Sequence, residues 1–153
     1  MSRAFVRESD QDTTELPERP ISTHPNFVTP RGLAAIESQV RALEAERQAA
    51  RAAEDGALRA RVERDLRYWS ARRASARVIE QTATDRARFG ARVGLRQRSG
   101  AIQVFRLVGE DEADVAQGLL SYVSPLACAL LGREIGDTVP YQGEEAELVS
   151  IEP

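Results

Sequence analysis

Leu33, Ile36, Val40 and Leu43 recur at 3-4-3 spacing, the narrow apolar seam by which one α-helix packs along another. The seam opens behind Thr29-Pro30, an N-cap followed by proline at the first helical position, where a missing N–H costs nothing. It weakens at Arg47 and Ala50, and Glu54-Asp55-Gly56 breaks it. A second helical stretch starts near Ala57 and sets Leu58, Val62, Leu66, Trp69, Ala76 and Ile79 near one face, with Arg73 interrupting the row. So short a connection favours antiparallel neighbours, so the two stretches are expected to form an αα-hairpin with arms of roughly 35 Å. A lone hairpin of this kind buries little and frays, so its base must pack on something else.

Composition narrows the class. The chain has 153 residues, room for one ordinary domain or two small ones. No apolar run approaches the roughly 18 residues that span a bilayer. The opening MSRAFVRESDQDTTELPERP lacks the apolar centre of a secretory signal, and a cytoplasmic location is expected. One cysteine excludes an internal disulfide framework, and one histidine beside it argues against a zinc site. All 21 basic residues are arginine, which excludes lysine catalysis and a P-loop lysine.

The net charge of −3 conceals a polarity. Residues 1–29 carry three arginines against five acids, residues 30–80 eleven against eight, and residues 81–153 seven against eleven. A basic middle between acidic ends suits a partner of matching charge, and it equally suits a solvated helix face.

Three segments follow. Residues 1–27 are expected to be a flexible arm, being polar, broken by Pro17, Pro20 and Pro25, and without apolar periodicity. Phe5, Val6 and Phe27 are its candidates for docking, and His24 is expected to be a solvated linker residue. Residues 28–80 form the coiled-coil hairpin. Residues 81–153 supply its base, with strands expected at 92–97 and 101–108 around Arg98-Ser99-Gly100, at 118–123, and at 138–142 and 146–151 around Gly143. Ser124 and Pro125 open a short helix that Gly132 ends in the left-handed conformation. The fold class is therefore α+β: an antiparallel helical hairpin followed by a small antiparallel β domain with one short helix.

Residues 108–139, VGEDEADVAQGLLSYVSPLACALLGREIGDTV, resemble the C-terminal domain of the Gre (GreA/GreB) family of bacterial transcription elongation factors, whose pattern runs close to VGxDEAD…IS…SP.A.ALLG…GD. The resemblance is long and ungapped, reaches from residue 28 to the C-terminus, and is strongest over 89–139. It implies an FKBP-like fold for residues 81–153 and a partner, the RNA polymerase core, bound at its secondary channel. It implies modulation of elongation, with nascent RNA and DNA as indirect partners, and neither a membrane nor a small-molecule substrate. In that family the hairpin enters the channel, and acids at its tip help to hold the polymerase's catalytic Mg²⁺ while backtracked RNA is hydrolysed. The factor has no cofactor or metal of its own and is not an enzyme; it stimulates the polymerase's own cleavage at most.

The tip departs from that pattern. The family's Gly-Asp-Leu-x-Glu-Asn run is absent, and the corner is Ala53-Glu54-Asp55-Gly56-Ala57-Leu58-Arg59. Glu54 and Asp55 are the only tip carboxylates, and the next acid is Glu63. Each arm also looks about ten residues short of typical members, roughly 15 Å of reach at the helical rise. Asp-Gly fits an ordinary turn as well. No catalytic residue is firmly assigned; Glu54 and Asp55 are the candidates.

The resemblance assigns Asp111, Glu112 and Asp114 of the acidic turn, with Ser124 and Pro125, to contact with a coiled-coil element at the channel rim. A solvated loop that ties down local N–H groups is the other reading. Arg59, Arg61, Arg64 and Arg67 are candidates for lining the channel or contacting phosphate, although they are spread around the helix. Tyr68 and Trp69 invite base stacking, but Trp69 sits at seam spacing and Cys128 lies in an apolar helix, which suits both to packing. Two alternatives remain: a non-cleaving regulator of the same channel, and a coiled-coil adaptor unrelated to transcription. No nucleophile–base pair or phosphate loop can be assembled for a stand-alone enzyme.

Overall fold

The structure, a computed structural model, describes residues 16–153; Phe5 and Val6 lie outside the described residues. Two long helices form the expected hairpin, α1 (Pro30–Ala52) and α2 (Gly56–Ser75). At about 1.5 Å per residue they run roughly 35 and 30 Å. Thr29 caps α1 by accepting a hydrogen bond from the Gly32 N–H at 2.9 Å, and Pro30 follows it. Val40, Leu43, Val62 and Leu66 are buried between the arms, with Leu58 and Trp69 packed against them. Ile36 and Ala50 are buried along the same helix. Trp69 is thus hairpin core.

The second arm is shorter than its periodicity predicts. Ala76 is extended, with φ −60° and ψ 131°, and caps a helix that has already stopped. Arg77–Val78 (β2) instead pairs in parallel with Phe27–Val28 (β1). Ala76 and Ile79 therefore leave the helical face, because backbone pairing with a distant segment outweighs local helix preference. Arg73 points outward and does not interrupt the seam; Arg72 is the buried one, at 1% exposure.

Five strands form one sheet in the order β5-β4-β3-β7-β6. They are β3 (Arg92–Arg96), β4 (Ile102–Val108), β5 (Leu119–Ser121), β6 (Thr138–Tyr141) and β7 (Glu144–Glu152). Every pairing is antiparallel except one: β5 runs parallel to β4. The sheet is mixed, not the all-antiparallel sheet expected. The ten residues between β4 and β5, including a 3-10 turn at Val115–Gln117, cross back so that the chain re-enters in the same direction. Gln142 and Gly143, both at positive φ (51° and 81°), make the tight hairpin between β6 and β7, the backbone that a two-residue loop requires.

Alternation places Val93, Leu95, Phe105, Leu107, Val139, Ala146 and Leu148 on one face. The short helix α3 (Pro125–Leu130) closes that face with Ala127 and Leu130. This cluster shares no residue with the one between the helices. Among the described residues these two clusters are distinct, and Val28, Ile36, Val108 and Leu119 are buried outside both.

The described part of the expected arm is packed. Arg67 on α2 binds Glu18 at 2.5 Å, and the Arg19 guanidinium lies 4.0 Å from the Tyr68 ring centre. Phe27 packs against Phe89 and Tyr122, whose ring centres lie 6.0 and 5.5 Å away, and the Tyr122 hydroxyl donates to the Pro25 carbonyl. Gly109 permits this close seating, since a Cβ there would collide with the carbonyl oxygen of Phe27. Gly109→Ala should cost about 1–3 kcal/mol by overpacking, measured as a lower urea midpoint with an unchanged slope.

Candidate functional site

Two places concentrate chemistry: the junction between hairpin and sheet, and the hairpin tip. At the junction, Arg72 donates from Nε to Asp111 Oδ2 at 2.5 Å and from Nη2 to Asn26 Oδ1 at 2.8 Å. Tyr68, one turn earlier on α2, donates its hydroxyl to the other Asp111 oxygen at 2.5 Å. Asn26 is 5% exposed, and its amide donates to the Arg72 carbonyl (2.8 Å) and to Ser75 Oγ (3.1 Å). Glu110 Oε2 lies 3.6 Å from Arg72 Nη2, within ion-pair range but without a hydrogen-bond partner. Its contribution there is charge, not a directed bond. Glu112 accepts from Thr29 Oγ1 at 2.6 Å, so one hydroxyl both caps α1 and ties it to the acidic turn.

Asp111 and Glu112 are thus engaged inside the molecule, each holding a helix of the hairpin. Asp114 sits apart from them. It is exposed, caps the 3-10 turn through the Ala116 N–H at 3.1 Å, and accepts from Gln117 at 3.0 Å. Ser124 caps α3 through the Ala127 N–H at 3.4 Å, and Pro125 stands exposed at the first helical position. The structure brings Asp111 and Glu112 together at the junction and leaves Asp114 and Pro125 on the surface.

Four of the six arginines of α2, those singled out for channel or phosphate contact, are each matched by an acid. Arg59 pairs with Glu63 (3.0 Å), Arg61 with Glu46 (3.2 Å), Arg64 with Asp65 (2.9 Å) and Arg67 with Glu18 (2.5 Å). The hydrogen bonds from Arg59 and Arg67 hold the Glu63 and Glu18 carboxyls below the usual carboxylate range. Apart from the half-buried Arg64–Asp65, these pairs are solvent-exposed, and such pairs contribute little stability each. They do cancel most of the positive charge that the sequence places on this helix.

At the tip, Glu54 is exposed in the left-handed region at φ 53°. Asp55 caps α2, with Oδ1 accepting from the Leu58 N–H at 2.9 Å. One of its two carboxylate oxygens is therefore committed to the backbone. Among the described residues no group of three or more His, Cys, Asp or Glu could hold a metal ion. Two acids, one already capping, do not make a Mg²⁺ site, which needs octahedral oxygen ligation.

Arg72 and Asn26 are the residues that sequence reasoning missed at the junction, together with the bond by which the N-cap Thr29 also reaches Glu112. Arg72 lies three residues after Trp69, at seam spacing, and that was the available signal. A neighbouring arginine at the equally plausible i+4 position obscured it. Nothing in the Pro-rich stretch around Asn26 marks it as buried.

Removing one member of a buried ion pair leaves the other uncompensated, so Arg72→Met should destabilise the protein by about 3–5 kcal/mol. Combined with Asp111→Leu, the loss should be clearly less than additive in a double-mutant cycle read by urea unfolding. Burial, then the bond to Asp111 and that residue's charge, push the Tyr68 phenol from 10.0 up to about 12. The protonated phenol is the form the fold favours. Its contribution is full below pH 10 and is lost as pH rises through about 12. Unfolding free energy should fall across that window, and less steeply in Tyr68→Phe.

Residues 81–153 match the family model described as "Transcription elongation factor, GreA/GreB, C-term". The transcription elongation factor GreB of Neisseria meningitidis is 39% identical over 98 residues, covering 60% of this chain and 60% of that one. The transcription elongation factor GreA of Anaeromyxobacter sp. (strain K) is 48% identical over 85 residues, 51% of each chain. The matched part thus spans about half to three fifths of these relatives' own length. A solved structure, GreA factor homolog 1 of Thermus thermophilus, is 20% identical, covers 85% of this chain and 100% of its own, and has a TM-score of 0.42, too loose a likeness to bear on geometry. Residues 81–153, the sheet and its α3 segment, are thus similar to the C-terminal domain of the GreA/GreB transcription elongation factors.

Proposed function

We propose that this protein binds the RNA polymerase core at its secondary channel, docks through its C-terminal domain, and modulates elongation through the hairpin. The observation that carries this reading is the family-matched β domain fastened by buried polar contacts to a hairpin of roughly 30–35 Å. Among the described residues, no hydrogen bond or ion pair ties the far end of that hairpin to another element. In this reading the β domain supplies the grip, and the hairpin supplies reach.

Asp111 and Glu112 serve the grip indirectly, by holding the hairpin to the domain. Asp114 and Pro125, exposed on the domain surface, remain the residues to meet the polymerase. Acidic groups there would steer docking and set orientation more than affinity. The paired arginines of α2 leave little net charge to attract phosphate, so contact with RNA or DNA is indirect and made by the polymerase.

A second reading concerns the tip. Asp55 is a helix cap, and only Glu54 and the remaining Asp55 oxygen are free to face a metal held by the polymerase. This favours a factor that acts by occupying the channel, without stimulating cleavage. In this reading the cleavage chemistry would belong to the polymerase.

Core polymerase should bind the protein in fluorescence anisotropy, and Pro125→Ala should weaken binding about fivefold or more if it is an interface anchor. Failure of the parent protein to bind would sink both readings and favour a coiled-coil adaptor. A backtracked elongation complex then separates them. We expect RNA length to stay unchanged while elongation slows or resumes differently. Shortened RNA that disappears in Glu54→Ala/Asp55→Ala would instead establish cleavage stimulation.

A further inference from the structure

The two apolar clusters share no residue, and directed polar bonds from Thr29, Tyr68 and Arg72 join the helices to the loop after β4. Apolar burial is non-directional; hydrogen bonds fix angles. The directed bonds at the junction are thus the contacts best suited to fix the direction in which the hairpin leaves the β domain. Arg72 is the one side chain there that joins three separate parts of the chain. It belongs to α2, its Nε bonds to Asp111 on the loop after β4, and its Nη2 bonds to Asn26 on the segment before β1.

Asn26 completes the clamp from the other side. Its amide holds the Arg72 carbonyl and Ser75 Oγ in the last turn of α2, while its carbonyl oxygen receives the guanidinium. Asn26 is itself anchored, because the next residue, Phe27, packs in a three-ring cluster with Phe89 and Tyr122, and because the Arg77 N–H donates to the Asn26 backbone carbonyl at 2.8 Å. The segment before α1 is thus a strap seated on both bodies at once.

We infer that Arg72 and Asn26 are positioning residues for the elongation function: they aim the hairpin, and the tip reaches its place in the polymerase only while they are bonded. This rests on the proposed secondary-channel reading and adds to it the element that sets the direction of the tip. Neither residue touches the polymerase in this account. Their effect passes through the angle between the two bodies.

The free full-length protein supplies the first test. Cys128 is exposed and is the only cysteine, so it takes one fluorophore, and Ala53→Cys at the tip takes the other. Single-molecule energy transfer should give one narrow distance distribution in the otherwise unchanged protein. Arg72→Met and Asn26→Ala should broaden or split it. Arg72→Lys guards against simple unfolding, since it keeps the charge but lacks the fork that reaches Asp111 and Asn26 together; it too should broaden the distribution, with helical circular dichroism unchanged.

The second test uses unlabelled protein and core polymerase. Arg72→Lys should bind within about twofold of the parent, because the docking domain is intact, yet lose about tenfold of its effect on elongation. A merely structural role would lower binding and effect together. A narrow, unshifted distribution in all three variants overturns the inference, and so does a broadened one with the elongation effect intact. If the parent does not bind polymerase, the proposed function fails, while the distance distributions still decide whether these residues aim the hairpin.

Discussion

A buried guanidinium organises this molecule. Arg72 is withdrawn almost wholly from water, a placement that is tolerable only because Asp111, Asn26 and the nearby Glu110 supply charge and acceptors. Well-packed apolar residues could have held the same space at no electrostatic cost. They would have held it without a preferred angle. The fork geometry of arginine converts a contact into an orientation, and the elements around the junction each supply a group to it: the last turns of α2, the first turn of α1, the acidic turn after β4, and the strap from residue 16 to β1.

The acidic turn changes meaning in this light. Its sequence matches a family pattern, and a surface role for its carboxylates is the natural reading. In the fold, Asp111 and Glu112 face inward to the hairpin and Asp114 faces outward. Residues within four positions of one another thus have different jobs, divided by the direction in which the loop turns. The basic helix shows the same separation between composition and surface. Its arginines are numerous, but acids from α1, from α2 itself and from the strap meet them one by one.

Much of this architecture is legible in the sequence because its causes are local. The Thr29-Pro30 and Ser124-Pro125 starts, the seam from Ile36 to Leu43, the break at Glu54-Asp55-Gly56 and the left-handed Gly132 all follow from propensity, capping and period. What escaped depends on partners far along the chain. The early end of α2 requires β1, nearly fifty residues upstream. The parallel placement of β5 requires a crossover whose hand no dipeptide signals. Arg72 over Arg73 as the inward residue depends on Asp111, and equal spacing arguments favour either. At the candidate site, capping explains Asp55 and Ser124, whereas the junction is a long-range construction from the start.

The placement of the junction has a consequence for length. Among the described residues, the hydrogen bonds between hairpin and domain come from Thr29, Tyr68 and Arg72, with Asn26 bracing the last of these, all at the base of the two arms, opposite the tip. Beyond Tyr68 toward the tip, the arms bond, among the described residues, to each other and to the strap. Whole turns can therefore be added to or removed from both helices in step, about 5.4 Å at a time, with the mount untouched. The hairpin is a ruler fixed at one end, and its short span here is a setting that the rest of the fold does not dictate.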